Sequence, residues 1–307
     1  MLRSFSVYGL TLVAFFSFAL FSASTEKEDS ETTQKERMDA KNLPQVIRSI
    51  NLNRSFSFAE EEVPIATNFD ARERLDRELS RNAYYHSNTL LNIKRTSRYF
   101  PVIEKILAKN GVPEDFKYLA VAESDLTNAT SPAGAKGIWQ FMKPAARAYG
   151  LEINREVDER YHLEKATAAA CKYLKNDKER FGSWTLAAAA YNMGGTRLRK
   201  ELKAQRASSY YDLNLNTETM RYVFRIIALK QIINEPNEFG FYLEEGDRYQ
   251  PLDFVNIKVD HSIANLGDFA QKNGISYRML KVFNPWLIAS SLTNKSGKTY
   301  YIKVPKM

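Results

Sequence analysis

Apolar residues recur at helical spacing through the first two thirds of the chain. From about Asp70 to Leu107 they fall three or four positions apart, and Asn110-Gly111 then supplies a helix-stop signal. Pro113 suits the first turn of the helix that follows. The pattern predicts further helices at 143–149, 164–180, 184–193 and 217–234. No segment between 70 and 235 shows the alternation typical of a strand.

The pattern changes after Pro236. Segments 254–259 and 300–304 alternate apolar and polar residues, which predicts two half-buried strands. Two short helical patterns lie between them, at 266–273 and 277–283, and Ser276 is well placed to cap the second. The sequence therefore predicts a mainly α protein: a helical domain followed by a small α+β module with the order βααβ.

The N-terminal segment has the layout of a secretory signal peptide. Residues 1–24 carry one arginine, an apolar run and then small residues. An uncleaved membrane anchor is the alternative, but about 15 apolar residues are short for a span that needs about 20. Residues 25–45 are almost free of apolar side chains and are predicted to form a flexible linker. We therefore expect an exported protein of the periplasm or cell envelope, with domains at 46–245, including an N-terminal helical extension, and at 250–307.

Composition narrows the possible chemistry. The 44 basic and 36 acidic residues give a net charge of +8, which favours an anionic polymer or an envelope surface as partner. The only cysteine, Cys171, excludes a disulfide framework and a thiolate zinc cluster. Three scattered histidines leave little for a histidine-based metal site. We expect no metal and no cofactor.

One carboxylate falls on an apolar helix face. Glu123 follows Leu119 by four positions and precedes Leu126 by three, so it shares their buried side. Burial would raise its pKa and favour the neutral acid, which is the form that protonates a glycosidic oxygen. The alternative is a glutamate at the edge of the stripe, solvated or paired with Arg or Lys. Asp125 points elsewhere on the helix and is expected to be solvated or to act as a cap.

Two later segments carry polar groups suited to a sugar. After the glycine-containing loop 131–137, Gln140 could hold a sugar hydroxyl or an N-acetyl group, whereas Trp139 is expected in the core. The alanine-rich segment 186–195 ends at Tyr191 and Asn192, which can position substrate if that helix end faces a cleft. Ordinary helix capping is the alternative interpretation for this pair.

These segments, in this order, resemble the lytic transglycosylases with a goose-type lysozyme-like fold, of the membrane-bound lytic murein transglycosylase D type. The matching pieces are Glu123-Ser124, Gly137–Gln140, Val157–Arg160, Ala190–Asn192 and Asn216–Val223. The resemblance covers about residues 70–235. It departs from the family pattern at Ile138-Trp139 and at Tyr161-His162.

The resemblance implies a role for each matching residue. Glu123 would be the single catalytic acid, with the hydroxyl of Ser124 supporting it. Ser124 is counted among the predicted substrate-binding residues, together with Gln140, Tyr191, Asn192 and Tyr222, which would line the saccharide cleft. The C-terminal unit resembles a degenerate LysM module, because Ile263–Asn265 replaces the usual Gly-Asp-Thr opening. Glycan binding and packing against the catalytic domain both remain open for it.

The implied activity is non-hydrolytic cleavage of the β-1,4 bond between N-acetylmuramic acid and N-acetylglucosamine, which leaves 1,6-anhydro ends. One residue would act first as acid and then as base. The alternatives are a lysozyme-type hydrolase and a non-catalytic wall-binding protein. Peptidoglycan strands are the expected partner, nucleic acid is not, and a monomer is expected. Association with an envelope membrane stays open.

Overall fold

The computed structural model describes residues 48–306. The predicted signal peptide and the predicted linker at 25–45 lie outside the described residues, so both stay predictions. No helix within 48–306 combines the length and the apolar character needed to cross a membrane.

Helices dominate the described chain, as predicted. They are α1 (Phe69–Ala83), α2 (His86–Lys109), α3 (Phe116–Ser124), α4 (Lys143–Ala148), α5 (Leu163–Phe181), α6 (Trp184–Met193), α7 (Gly195–Gln205), α8 (Thr217–Asn234), α9 (Leu266–Lys272) and α10 (Tyr277–Phe283). The strands are β1 (Ser57–Phe58), β2 (Glu61–Glu62), β3 (Phe254–Val259) and β4 (Tyr300–Pro305).

Local sequence signals fix several helix ends. The side chains of Asn68, Ser183 and Asn216 accept hydrogen bonds from backbone N–H groups three residues later, at the starts of α1, α6 and α8. Helix α5 ends at Gly182, whose φ of +76° is the left-handed conformation that glycine adopts without strain. These signals explain why the predicted limits of α5, α6 and α8 agree closely with the observed ones.

Helix α8 runs through the middle of the helical domain. It packs against α1, α3 and α6, and its residues from Tyr222 to Leu229 are buried except for Arg225. In α6 the four alanines at 187–190 are fully buried, and their small side chains let the neighbouring helices approach closely. The catalytic candidates predicted on α3, α6 and α8 therefore lie on helices that pack together.

Three features differ from the sequence prediction. The long helical stretch after Asp70 is two helices, α1 and α2, which break at Tyr84-Tyr85. Helix α7 is absent from the prediction: Leu198 and Leu202 are its only large apolar residues, and Leu198 alone is fully buried. The chain before α1 forms the short antiparallel hairpin β1–β2.

The C-terminal module has the predicted βααβ order. Strands β3 and β4 pair antiparallel, with Val255 opposite Val304, and α9 and α10 lie between them in the chain. Ser276 caps α10 by accepting a hydrogen bond from the Met279 N–H, as expected. Leu266, Leu280 and Ile302 form the centre of a small separate core.

The module packs against the segment that precedes α5. The Asp158 N–H donates to the Trp286 carbonyl at 2.9 Å, and the Ile288 N–H donates to the Glu156 carbonyl at 2.9 Å. The Glu156 carboxylate also accepts from the Ser291 hydroxyl and the Thr293 N–H. Of the two roles left open for this module, packing against the helical domain is therefore one that it performs.

Candidate active site

Helix α3 carries the predicted acid in its last turn. Leu119 and Leu126, which the spacing placed on the same face, are 0% and 1% exposed, and Glu123 is half-buried beside them. The helix ends because Asp125 adopts a left-handed backbone with a φ of +52°. Glu123 is thus held one residue before a fixed helix end.

Asp125, the carboxylate next to Glu123 in the sequence, is held by hydrogen bonds to α2. Its Oδ1 accepts hydrogen bonds from the side-chain amides of Asn88 (2.9 Å) and Asn92 (2.8 Å) on α2. Its carbonyl accepts from Arg95 at 3.1 Å. Of the two roles expected for Asp125, solvated residue or cap, the structure confirms the cap.

The surroundings of Glu123 favour its neutral form. Burial is the largest influence and raises the pKa of Glu123 to about 7, although the Tyr222 hydrogen bond and the charge of Arg225 lower it. The charge of Glu218 raises it slightly further. The Tyr222 hydroxyl donates its hydrogen bond to Glu123 Oε1. Near neutral pH this carboxyl can therefore both give and accept a proton.

Ser124 and Tyr222 are both buried, although Tyr222 is predicted to line the cleft. Tyr222 is 0% exposed and donates a hydrogen bond to Glu123. Ser124 is 7% exposed, and its hydroxyl bonds the carbonyls of Ala120 and Ile138, the latter at 2.8 Å. Both hydroxyls fix other parts of the site: Tyr222 holds the acid, and Ser124 ties α3 to the loop that contains Gln140.

That loop depends on a glycine. Gly137 has a φ of +80°, and a Cβ added there would lie 1.9 Å from the carbonyl oxygen of Arg160. Gln140 is also left-handed, with a φ of +48°, and its Nε2 donates to the carbonyls of Gly137 and Ala129. The loop is therefore held in a single shape by close backbone contact, which leaves Gln140 half-buried at its tip.

Arg160 holds the loop from behind. Its guanidinium forms a bidentate pair with Asp158, at 2.9 and 2.7 Å, and both side chains are nearly fully buried. Its remaining nitrogen donates to the carbonyls of Gly134 (3.1 Å) and Phe141 (3.3 Å). We call residues 134–141, which contain Gln140, the glutamine loop. The Val157–Arg160 motif, to which the sequence assigned no role, thus supports both ends of this loop.

Helix α6 closes the site from the other side. The Tyr191 hydroxyl donates to the carbonyl of Trp139 at 2.7 Å, which fixes the ring against the glutamine loop. Asn192 accepts from the Thr219 hydroxyl at 2.7 Å, at the start of α8. Tyr191 and Asn192 are both half-buried. Trp139 is fully buried and donates to Thr167, so its expected place in the core is confirmed.

The structure therefore joins Ser124 and Tyr191 to the loop that contains Gln140, and it joins Tyr222 to Glu123. Asn192 instead contacts Thr219 at the start of α8. Two charged residues that influence Glu123 were missed: Arg225, three positions after Tyr222 on α8, and Glu218, in the first turn of that helix. The helical spacing of Arg225 from Tyr222 could have placed it near the acid. No group of three or more His, Cys, Asp or Glu side chains suited to a metal occurs among residues 48–306.

Two protein-family models match separate parts of the chain. Residues 100–214 match the transglycosylase SLT domain, and residues 255–307 match the soluble lytic transglycosylase C-terminal LysM-like domain. The chain is 32% identical over 253 residues to membrane-bound lytic murein transglycosylase D of Escherichia coli strain K12. That alignment covers 80% of this chain but 54% of the relative, so the chain spans about half the length of the curated protein it matches.

Two solved structures are also similar. The 70 kDa soluble lytic transglycosylase of Escherichia coli aligns at 20% identity and a TM-score of 0.40, over 60% of this chain and 37% of that one. The lytic transglycosylase Slt of Pseudomonas aeruginosa, an inactive mutant, aligns at 21% identity and a TM-score of 0.38, over 49% and 26%. The two family matches confirm the sequence-based recognition: a transglycosylase SLT domain at residues 100–214 is followed by a soluble lytic transglycosylase C-terminal LysM-like domain at residues 255–307.

Proposed function

We propose that this protein is a peptidoglycan lytic transglycosylase that cleaves the β-1,4 bond between N-acetylmuramic acid and N-acetylglucosamine. The observation that supports it best is Glu123, whose pKa of about 7 reflects burial only partly offset by Tyr222 and Arg225. A carboxyl of that pKa is protonated often enough at neutral pH to act as a general acid.

In the first step, neutral Glu123 donates its proton to the glycosidic oxygen. The bond between that oxygen and C1 of the muramic acid breaks, and the muramic N-acetyl carbonyl oxygen assists its departure. Glu123 becomes a carboxylate, which the Tyr222 hydroxyl stabilises because a hydrogen bond to a charged oxygen is stronger than one to a neutral oxygen.

In the second step, the Glu123 carboxylate accepts the proton of the sugar's 6-hydroxyl. The freed O6 attacks C1 and closes a 1,6-anhydro ring, while the N-acetyl oxygen leaves C1. Glu123 is neutral again, so one residue serves both steps and no water is consumed.

We infer that Gln140, Tyr191 and Asn192 bind the glycan, since all three are half-buried and border the loop beside Glu123. Tyr222 and Ser124 are positioning residues in this proposal. The substrate would place the protein in the cell envelope, and export through residues 1–24 remains part of the proposal.

A second candidate is a hydrolase acting on the same bond. It is favoured by Glu218, an exposed carboxylate whose charge acts on Glu123. Two-carboxylate glycosidases use a second acidic residue as nucleophile or to activate water. In that case Glu218 would take this role.

Digestion of purified peptidoglycan in heavy-oxygen water, with mass analysis of the fragments, separates the two activities. A transglycosylase yields anhydro ends without the label, whereas a hydrolase yields reducing ends that carry it. Glu218→Gln provides a second readout, because it should leave anhydro-product release intact but abolish hydrolysis. If the wild-type protein gives labelled reducing ends and Glu218→Gln gives none, the protein is a hydrolase and our proposal is wrong.

A further inference from the structure

An open pocket lies beside Tyr149 and Tyr173, and Tyr173 packs against Tyr191 of the proposed active site. It has a volume of about 800 Å³, and we call it the Asp177 pocket. Its walls come from the end of α5, the start of α7 and the residue after α4. Its lining includes Tyr149, Tyr173, Asp177, Arg180, Arg197 and Lys200.

At the base of the pocket lies a buried carboxylate with an unused oxygen. Asp177 is 4% exposed, yet its Oδ2 has no hydrogen-bond partner among the described residues. Burial raises the pKa of Asp177 to about 6, although the charge of Arg180 opposes this. A buried polar atom without a partner is costly, so a ligand that donates a hydrogen bond there would be favoured.

The rim of the pocket is positively charged. Within residues 48–306, no carboxylate forms an ion pair with Arg180, Arg197 or Lys200. Helix α7 begins here at Gly195, and no side chain caps its first N–H groups. The helix start adds to the positive field of the three side chains, so the rim favours an anion.

Gly195 keeps the space between these charges open. A Cβ at this position would lie 2.5 Å from Arg180 Nη1 and 3.1 Å from Asp177 Oδ1. Any other residue would therefore crowd both groups. The pocket thus offers cationic groups and a hydrogen-bond acceptor beside the same glycine, which suits a ligand with both carboxylates and N–H groups.

The pocket is one aromatic layer away from the proposed catalytic residues. The Tyr173 ring stacks on Tyr149 at 4.9 Å and lies 5.0 Å from the ring of Tyr191. Tyr191 precedes Asn192, one of the proposed glycan-binding residues. A chain attached to a sugar in the active site could therefore extend toward this pocket.

We propose that the Asp177 pocket binds the carboxylate-bearing peptide that is attached to N-acetylmuramic acid in peptidoglycan. Arg180, Arg197, Lys200 and the start of α7 would hold its carboxylates, and the Asp177 carboxylate, whose Oδ1 lies beside Gly195, would accept one of its N–H groups. The assignment rests on the proposed function, since it takes peptidoglycan as the substrate.

The test is a calorimetric titration of the full chain with a synthetic stem tetrapeptide of alanine, γ-linked glutamate, diaminopimelate and alanine. Three further probes are the same peptide with its carboxylates amidated, inorganic phosphate, and a neutral N-acetylglucosamine tetramer. We expect amidation to weaken binding about tenfold or more, because it removes hydrogen bonds between charged groups. Phosphate should not compete at equal concentration.

Two double variants locate the site. Arg197→Ala with Lys200→Ala should weaken tetrapeptide binding about tenfold, whereas the tetramer should bind as before. Arg199→Ala with Lys203→Ala removes the same charge from exposed positions of the same helix outside the pocket, and should leave peptide binding unchanged. Equal loss in both variants, equal binding of the amidated peptide, or full displacement by phosphate would overturn the assignment.

The titration involves no bond cleavage, so it can fail independently of the proposed activity. A protein that releases anhydro ends but ignores the tetrapeptide would refute the pocket alone. A protein that binds the tetrapeptide but cleaves nothing would refute the activity alone.

Discussion

Two half-buried glutamates in the helical domain have pKa values shifted in opposite directions. Glu123 and Glu164 are both half-buried, and desolvation is the largest single influence on each. Burial prevails at Glu123 and raises its pKa to about 7. At Glu164 burial also acts to raise the pKa, but His162 and Lys303 outweigh it and lower the pKa to about 2.

The difference lies in what faces each carboxyl. Lys303, on β4 of the LysM-like module, donates a hydrogen bond to Glu164, and His162 Nδ1 lies 3.2 Å from its other oxygen. Glu123 instead accepts a hydrogen bond from neutral Tyr222, and the effect of Arg225 is opposed by Glu218. The hydrogen bonds and charge provided by His162 and Lys303 lower the pKa of Glu164, whereas the neutral Tyr222 donor leaves Glu123 able to exchange a proton.

The two acids consequently serve different parts of the molecule. Glu164 belongs to a series of carboxylates, with Glu152 and Glu156, that accept hydrogen bonds from the C-terminal module. Glu123 makes no such contact and lies beside the glutamine loop. Two of the docking acids, Glu156 and Glu164, have lowered pKa values, whereas the proposed chemistry uses Glu123, whose pKa is raised.

Replacing Glu123 with Gln should have the largest effect. It preserves size but removes the exchangeable proton, so release of anhydro-muropeptides should fall about 10²–10⁴-fold. Asp125→Asn is the matched control, because its retained Oδ1 can still accept from Asn88 and Asn92. Mass analysis of peptidoglycan digests measures both. A folded Glu123→Gln protein with near wild-type release would refute the site assignment.

A methyl group at Gly137 should disrupt the close contact between the loop that contains Gln140 and the backbone of Arg160. The added Cβ would overlap the carbonyl of Arg160, so the glutamine loop must shift, and overpacking of this kind costs about 1–3 kcal/mol. Gly134→Ala is the control: its φ is also positive, but nothing lies within 4 Å of the added atom. We expect loss of activity with Gly137→Ala alone, checked by turnover and by thermal unfolding. Equal effects of the two substitutions would attribute the loss to backbone strain.

The pH profile should reveal the acid directly. Above a pH of about 7, kcat/KM should fall about tenfold per unit as Glu123 loses its proton. Because the Tyr222 hydrogen bond lowers the pKa of Glu123, Tyr222→Phe should move this limb to higher pH. Turnover of soluble muropeptides between pH 5 and 9 tests it, and an unmoved limb would show that another group controls the profile.

The sequence predicted local structure well. Spacing and capping gave α5, α6, α8 and the βααβ order, because these signals act within a few residues. Helix α7 escaped because only Leu198 in it is fully buried. Helical spacing also placed Glu123 on a buried face, which was the basis for expecting a raised pKa.

The contacts that complete the site could not be predicted in this way. Tyr222 meets Glu123 from 99 positions away, and the carbonyl of Arg160 meets Gly137 through the tertiary fold. Periodicity shows which face of a helix is buried but not which group lies opposite. For that reason Ser124 and Tyr222 were both predicted to bind substrate, although both side chains are buried.

The stability of a Glu123→Gln protein should rise relative to wild type as pH increases. The folded-state pKa of Glu123 is raised, so between its ordinary value of 4.5 and about 7 the folded state holds a proton that the unfolded chain has released. Wild-type stability therefore declines with pH through this window, and glutamine removes that decline. Thermal unfolding at pH 5 and pH 8 measures the change; a constant difference between the two proteins would contradict the raised pKa.

Glu164→Gln should show the opposite dependence and the smallest effect. The folded-state pKa of Glu164 is lowered to about 2, so its ionised form stabilises the fold fully above about pH 4.5 and this contribution is lost as pH falls toward 2. The variant should therefore unfold at a lower temperature than wild type at pH 7, and the difference should close in acid. Glu179→Gln, an exposed position on the same helix, should track wild type throughout. Because Glu164 holds the C-terminal module and does not contact Glu123, turnover of short soluble glycans at pH 7 should stay near the wild-type rate. A destabilisation that persists unchanged at pH 2 would mean that the side chain acts through its packing rather than its charge.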